Sequence, residues 1–251
     1  MKNYYKIDII LPVYNSKNFI LHAINSIIIQ TYKNWKLIIV DDKSNDGTRE
    51  LIEQFIRSSK YKKKILFIKN DKNIGQGLAR NLALKKTNSK YIAFIDSDDI
   101  WEKNKLKKQI KFMIDNKYDF TYTDYISLKK KKKIIITPNS YNYKSFINNT
   151  SIATSTMIVE KKIIKNIFFP PLRLCEDYYF KCQILRKTIS YKCPKVYSFY
   201  RLRNNSLQSS RMKVLFTVWN INKKLNKIGF INNLISIFLI SYNSFRKYGL
   251  R

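Results

Sequence analysis

The sequence predicts an α/β fold with a mostly parallel central sheet flanked by helices. Two observations carry this expectation. Short β-branched runs alternate with helix-spaced segments through the first half of the chain, and that order builds a parallel sheet covered by helices. Several apolar runs also end in clusters of acid or glycine, and the carboxyl ends of such strands are where ligands bind.

The elements follow in order. Residues 7–13 are a short β-branched strand, and residues 18–30 a helix with Phe19, Ala23 and Ile27 on one side. The pair recurs at 36–40 and 48–58, at 64–68 and 78–86, and at 91–95 and 104–115, where Leu106, Ile110 and Met113 share a face. The second half is less regular. Strands are predicted at 118–128 and 134–137 around a turn at 129–133, at 155–159 and at 191–200, with a helix at 177–187. From Arg211 the spacing is helical again. Val214, Val218, Ile221, Leu225 and Ile228 line one face, and Lys213, Thr217, Asn220, Lys224 and Lys227 the other. The predicted organisation is an α/β domain over 1–207 and a basic, amphipathic helical tail over 208–251.

Charge narrows the function classes. The formal charge is +32 with 17 acidic residues among 251. Such a balance points to polyanions, whether nucleic acid, anionic lipid or phosphorylated substrates, unless a Lys-, Ile- and Asn-rich composition alone accounts for it. The acid is clustered: Asp41, Asp42 and Asp46; then Asp96, Asp98 and Asp99; then Glu176 and Asp177, after which none follows. The cysteines, Cys175, Cys182 and Cys193, are odd in number and lack CxxC spacing. That argues against a disulfide framework and a zinc site, and for a reducing compartment. Residues 7–13 are too short for the core of a signal peptide. The apolar stretch at 230–245 is broken by Asn232, Asn233, Ser236, Ser241 and Asn243, and falls short of the roughly 20 apolar residues of a spanning helix.

Four segments can carry chemistry. In DSDD (96–99), carboxylates two residues apart at a strand end suit Mg²⁺ or Mn²⁺, which take oxygen ligands and share them with substrate phosphates. Helix capping needs one such residue, not three, so Asp99 is the one left to cap. In VDDKSNDGT (40–48), an acid at a strand end can accept from a ribose or a base, or the segment is an ordinary capped loop. In NIGQGLARN (73–81), Gly75 and Gly77 let the backbone approach a ligand. Arg80 stands where a dinucleotide fingerprint has its third glycine, and no Gly-Lys-Ser/Thr makes a P-loop. Glu176 and Asp177 are either a general base with its neighbour or acid favoured by a helix's first turn. The single histidine, His22, falls inside a predicted helix, which disfavours a Ser-His-Asp triad and leaves carboxylates for proton transfer.

Together PVYN (12–15), VDDxSxDGT (40–48), GxxRN (77–81), DSDD (96–99) with Trp101, and ED (176–177) resemble a family 2 glycosyltransferase of the GT-A, nucleotide-diphospho-sugar transferase fold. Tyr200, Arg201 and Ser206 resemble the family's ending, and the likeness runs from about residue 7 to about residue 206. The resemblance implies that Pro12, Val13, Tyr14 and Asn15 edge the nucleotide pocket and that Asp42 reads a uracil-type base. Asn73, Gly75 and Ser97 belong to the same donor site. Arg80 would lie near the diphosphate or help build the pocket. Asp98 would be the main ligand of Mg²⁺ or Mn²⁺, with Asp96 on the ribose or the metal shell, and Asp177 the base. Trp101, Glu176 and Arg201 would face the acceptor, although Trp101 could equally be core. The chain lacks the Gln-x-x-Arg-Trp pattern of processive synthases, which favours transfer of one sugar per encounter.

The implied partners are a UDP-sugar and a saccharide acceptor on a lipid, in bacterial surface polysaccharide assembly. The implied place is cytoplasmic, peripheral on the inner face of the membrane, with the tail on an anionic leaflet or packed on the domain. Nucleic acid is not expected as a partner, because the strand ends are acidic. The remaining alternatives are a nucleotidyltransferase using the same acidic edge and a basic nucleic-acid-binding protein.

Overall fold

The computed structural model describes residues 5–128, 132–201 and 210–248. The first half alternates as the sequence predicts: β1 (Ile7–Val13), α1 (Ile20–Ile28), β2 (Trp35–Asp41), α2 (Thr48–Ser58), β3 (Ile65–Lys69), α3 (Gln76–Lys85) and β4 (Tyr91–Phe94). Then come β5 (Ile100–Trp101), α4 (Lys105–Asp115), β6 (Phe120–Leu128), β7 (Lys132–Ile135), β8 (Ser140–Tyr141) and α5 (Tyr143–Asn148). β9 (Ile158–Glu160), α6 (Glu176–Leu185), β10 (Ser190–Arg201), α7 (Arg211–Lys224) and α8 (Phe230–Tyr248) complete the described chain.

The strands form one sheet in the order β3-β2-β1-β4-β9-β6-β10-β5, with β7 beside β6 and β8 beside β10. The pairings β1–β2, β2–β3, β1–β4 and β6–β10 are parallel and include the longest ladders; β9 joins the two parallel parts by short antiparallel contacts. β1 has a parallel neighbour on each side and helices over both faces, which is why its seven residues are all buried. Ile7, Ile9, Leu11 and Val13 face one core with α1 and α4, while Ile10 faces a second core with α3 and α6. Asp8, also buried, accepts from the backbone N–H groups of Asn88 at 2.7 Å and Ser89 at 2.9 Å and so ties β1 to the loop before β4. The chain runs outward from β1 to β2 and β3, then returns to β4 on β1's other edge. This reversal opens a crevice beyond the ends of β1 and β4.

Three local readings change. Of residues 155–159, only Ile158–Glu160 is strand; Thr154–Thr156 is a 3-10 turn, a distinction a short β-branched run cannot signal. β5, β8 and α5 were not anticipated, being two to six residues long and without a period. The helix from Arg211 ends at Lys224 rather than continuing to residue 228. Ser206, the boundary at 207/208 and part of the turn at 129–133 lie outside the described residues.

The C-terminal helices pack on the domain. Val218 and Ile221 of α7 and Ile240 of α8 belong to the same core as Phe146, Tyr178 and Phe180. Asn222 of α7 is fully buried between them. Its Oδ1 accepts from the Tyr178 hydroxyl at 2.7 Å, and its amide donates to Asn233 at 3.0 Å and Ser236 at 3.2 Å.

Candidate active site

Arg80 of α3 is the hub on which three separate sequence segments meet. Its guanidinium donates to Asp96 Oδ1 at 2.7 Å and to Glu176 Oε1 at 2.9 Å, and lies 5.2 Å from the centre of the Phe169 ring. The side chain is 2% exposed. Burial opposes its charge, but Asp96, Glu176 and Asp177 outweigh that and hold it protonated. Gly77 permits the convergence, because a Cβ there would lie 2.6 Å from Glu176 Cγ and 3.2 Å from Phe169 Cβ. Arg80 therefore joins Asp96 and Glu176 from within the core.

The residues expected on the donor side gather at the strand ends. Asp42, beyond β2, is buried; Oδ1 accepts from Asn70 Nδ2 at 3.0 Å and the Ile74 amide at 2.9 Å, and Oδ2 from the Gly75 amide at 2.7 Å. Its carboxylate thus fixes the glycine loop and keeps one acceptor position on Oδ2. Asn73 donates to the Asp42 carbonyl at 3.0 Å and is clasped by Arg173 on its side chain and its carbonyl. Gly75 is left-handed, φ +91°, where an L side chain would be strained. Pro12 and Val13 end β1; Asn15 is also left-handed and exchanges hydrogen bonds with Ser44 and the Asn45 amide, so the two loops close on each other. Tyr14 is exposed at the rim. Ser97 meets Ser16 at 2.7 Å and joins the β1 and β4 loops. Asp41 is not at the ligand surface: it is buried and ion-paired with Arg49 at 2.6 Å.

Asp96 and Asp98 follow β4 at this crevice, both half-buried. The Asp96 amide donates to Ser155 Oγ at 2.9 Å, and its Oδ1 accepts from Gln76 as well as Arg80, which leaves Oδ2. Asp99 does not cap α4, whose cap position is Asn104. It is buried, accepts from the Arg201 amide at 3.0 Å, and keeps Oδ2 without a partner. Burial first, and then Asp96 and Asp98, pushes its carboxyl well above the usual range. Among the described residues, no group of three or more His, Cys, Asp or Glu could hold a metal ion. Two carboxylates suffice for a hard ion whose remaining oxygens come from phosphate and water, so the donor set fits Mg²⁺ or Mn²⁺.

Asp177 stands in the first turn of α6. Its Oδ2 accepts from Lys181 Nζ at 2.7 Å and Thr154 Oγ1 at 2.9 Å. Burial alone would raise its pKa; the paired Lys181 ammonium, then Arg80 and Thr154, hold it at about 2. A cavity of about 150 Å³ joins Asp177 to Asp96, lined also by Lys181, Tyr125, Tyr200 and Val214. Lys181 and Thr154 were not among the expected residues, although the i, i+4 spacing of Asp177 and Lys181 on a helix could have indicated the first.

Of the three residues expected at the acceptor, Trp101 and Glu176 are buried and Arg201 is half-buried. Trp101 is 1% exposed in the core, donates Nε1–H to the Ser155 carbonyl at 2.7 Å, and lies 4.3 Å below Lys105 Nζ. It holds the turn that binds Asp96, and no sugar face can reach it. Glu176 is buried against Arg80. Arg201 lies beside Asp98, its Nε donating to the Asp98 carbonyl at 3.2 Å and its guanidinium 4.9 Å from the Phe19 ring.

A parallel sheet whose switch-point crevice gathers carboxylates around one buried arginine defines a GT-A-type fold, and the solved structures bear this out. The chain superposes on S. aureus TarS 1–349 in complex with UDP-GlcNAc with a TM-score of 0.75, at 21% identity, covering 96% of this chain and 73% of that one. It also superposes on a mannosyltransferase from Pyrobaculum calidifontis in complex with GDP-Man and Mn²⁺, with a TM-score of 0.73, at 14% identity, covering 94% and 71%. The profile of Glycosyl transferase family 2 matches residues 8–189, and the chain belongs to that family. A curated relative, the Escherichia coli UDP-Glc:alpha-D-GlcNAc-diphosphoundecaprenol beta-1,3-glucosyltransferase WfgD, is 34% identical over 221 residues, 86% of this chain and 85% of that one.

Proposed function

We propose that the protein is an inverting, metal-dependent glycosyltransferase that moves one sugar from a UDP-sugar to a saccharide acceptor carried on a lipid diphosphate, in the assembly of bacterial surface polysaccharide. The observation that carries this reading is the cavity joining Asp177 to Asp96. Asp177 and Asp96 line one chamber, which supports a base working beside the donor. The donor and acceptor in the name of the Escherichia coli relative support the two substrate classes.

Pro12 to Asn15 and the free position on Asp42 meet the nucleotide, and Arg201 faces the diphosphate. Asp98 and Asp96 would hold Mg²⁺ or Mn²⁺, and the ion would supply positive charge against the leaving diphosphate. The acceptor hydroxyl forms its bond to the anomeric carbon as the carbon–oxygen bond to the diphosphate breaks from the opposite face. The electron pair leaves with the nucleoside diphosphate, and the hydroxyl proton passes to Asp177 Oδ1. A carboxylate held at about 2 is a weak base. It accepts the proton late, once bond formation has acidified the hydroxyl. Thr154 and Lys181 on Oδ2 leave Oδ1 for this task. The reaction sits at the inner face of the cell membrane, where a lipid-linked acceptor is held.

The test is release of UDP from a panel of UDP-sugars, with Mg²⁺ or Mn²⁺ present or removed by chelation. Metal-dependent release that Asp98→Ala abolishes is expected. Release of pyrophosphate from nucleoside triphosphates, with none of UDP, would make it a nucleotidyltransferase instead.

A further inference from the structure

The outer face of α8 is inverted relative to an ordinary surface helix. Its inward side carries polar residues: Asn233 bonds to Asn222 and to the Trp219 carbonyl at 3.1 Å, Ser236 to the Ile147 carbonyl at 2.6 Å, and Asn243 to the Asn148 carbonyl at 3.2 Å. Its outward side is a continuous apolar stripe of Ile231, Leu234, Ile235, Phe238, Tyr242 and Phe245 at helical spacing. Ile231 is 71% exposed and Phe238 70%. Phe230, at the start of the stripe, meets Trp219 of α7 edge-on at 5.6 Å. The exposed side of α7 continues it with Met212 and Phe216, interleaved with Lys213, Lys223 and Lys224. A soluble surface does not leave such a stripe uncovered, and a patch of this kind marks a contact site.

We propose that the α7–α8 face docks on an acidic lipid bilayer, with the α8 stripe in the acyl boundary and the α7 lysines and Arg246 at the headgroups. Charge selects this occupant. No Asp or Glu follows Asp177 in the chain, so the face offers cations alone. A second copy would bring the same cations and the same +32 charge, and would be repelled. A spanning role does not fit: among the described residues no helix is long and apolar enough to cross a membrane, and the inward side of α8 is already satisfied by hydrogen bonds. The face also adjoins the cavity, since Val214 and Val218 of α7 line it. For the acceptor's position the proposal rests on the transferase reading: docking brings Asp177 toward the headgroup layer that holds a lipid-linked saccharide.

The experiment is co-sedimentation of the full chain with phosphatidylcholine vesicles with and without phosphatidylglycerol, beside the double variant Ile235→Ser, Phe238→Ser. Both substituted side chains are exposed, so the variant keeps its melting temperature and its UDP release with a water-soluble acceptor. Those two readouts separate a failure of docking from a failure of the transferase reading. Binding that needs phosphatidylglycerol, weakens at raised salt and drops about tenfold or more in the variant is the expected result. Equal binding to neutral vesicles, undiminished binding of the variant, or no binding at all overturns the proposal. So does a dimer in light scattering that the double variant dissociates while vesicles are ignored, which would assign the face to a second copy.

Discussion

At the scale of single residues, Asp177 and Lys181 make the sharpest claims. Asp177→Asn keeps the shape and the hydrogen bond from Thr154 but cannot take the acceptor proton. Its kcat is expected to fall by about 10² to 10⁴, with UDP binding by calorimetry retained. Lys181→Met removes the largest of the influences that hold Asp177 at about 2 and leaves Arg80 and Thr154 alone against burial. The carboxyl pKa then rises, so the acid limb of kcat/KM shifts to higher pH while activity at alkaline pH is partly kept. A uniformly lowered profile would show that Lys181 only packs. The pair also bears on stability. The folded value lies below the ordinary ~3.9 of an aspartate, so its stabilisation is full at neutral pH and is lost as pH falls through about 4 toward 2. In Lys181→Met that acid-dependent loss is expected to shrink.

At the scale of elements, the contact between α3 and α6 fixes the site, and Gly77 sets its distance. Gly77→Ala would drive a methyl against Glu176 Cγ, a side chain that Arg80 holds in place. The helices must part, at an expected cost of about 1–3 kcal/mol, seen as a lowered melting temperature together with reduced UDP release. The sequence makes α3 and the glycines legible, because strand and helix periods and the loop between them are local signals. It also makes Asp96, Asp98 and Asp177 legible as charges out of place in a basic chain. It does not reveal that Arg80 joins Asp96 to Glu176, because that contact spans 96 residues and depends on the sheet order. Nor does it separate Trp101 as core from Trp101 as a sugar platform, since an aromatic beside a carboxylate cluster reads the same either way until its burial is known. The same limit applies to α8. An apolar stretch interrupted by Asn and Ser tells of a helix with two faces, but which face turns inward is decided by its partners, here Asn222 and the carbonyls of Ile147 and Asn148.

At the scale of the whole molecule, the C-terminal helices share a core with the α/β domain. Val218, Ile221 and Ile240 complete a core that also contains Phe146, Tyr178 and Phe180, and the last two belong to the helix that carries Asp177. Full burial of three such aliphatic side chains contributes on the order of 5–8 kcal/mol, which is comparable to the whole stability of a typical domain, about 5–15 kcal/mol. Loss of Asn222 would in addition leave the Tyr178 hydroxyl, buried beside Phe146, without its acceptor. A chain ending before Arg211 is therefore expected to aggregate or to melt far below the full chain, rather than to remain an active catalytic domain stripped of a tail. The measurement is soluble yield and thermal unfolding of that truncation, beside the full chain carrying Asn222→Ala. A truncation that melts like the full chain and releases UDP at the same rate would mean that the helices are an appendage. Partial loss in Asn222→Ala, with a melting temperature between the other two, would instead locate the coupling between the C-terminal helices and the helix that carries Asp177 in this one buried amide.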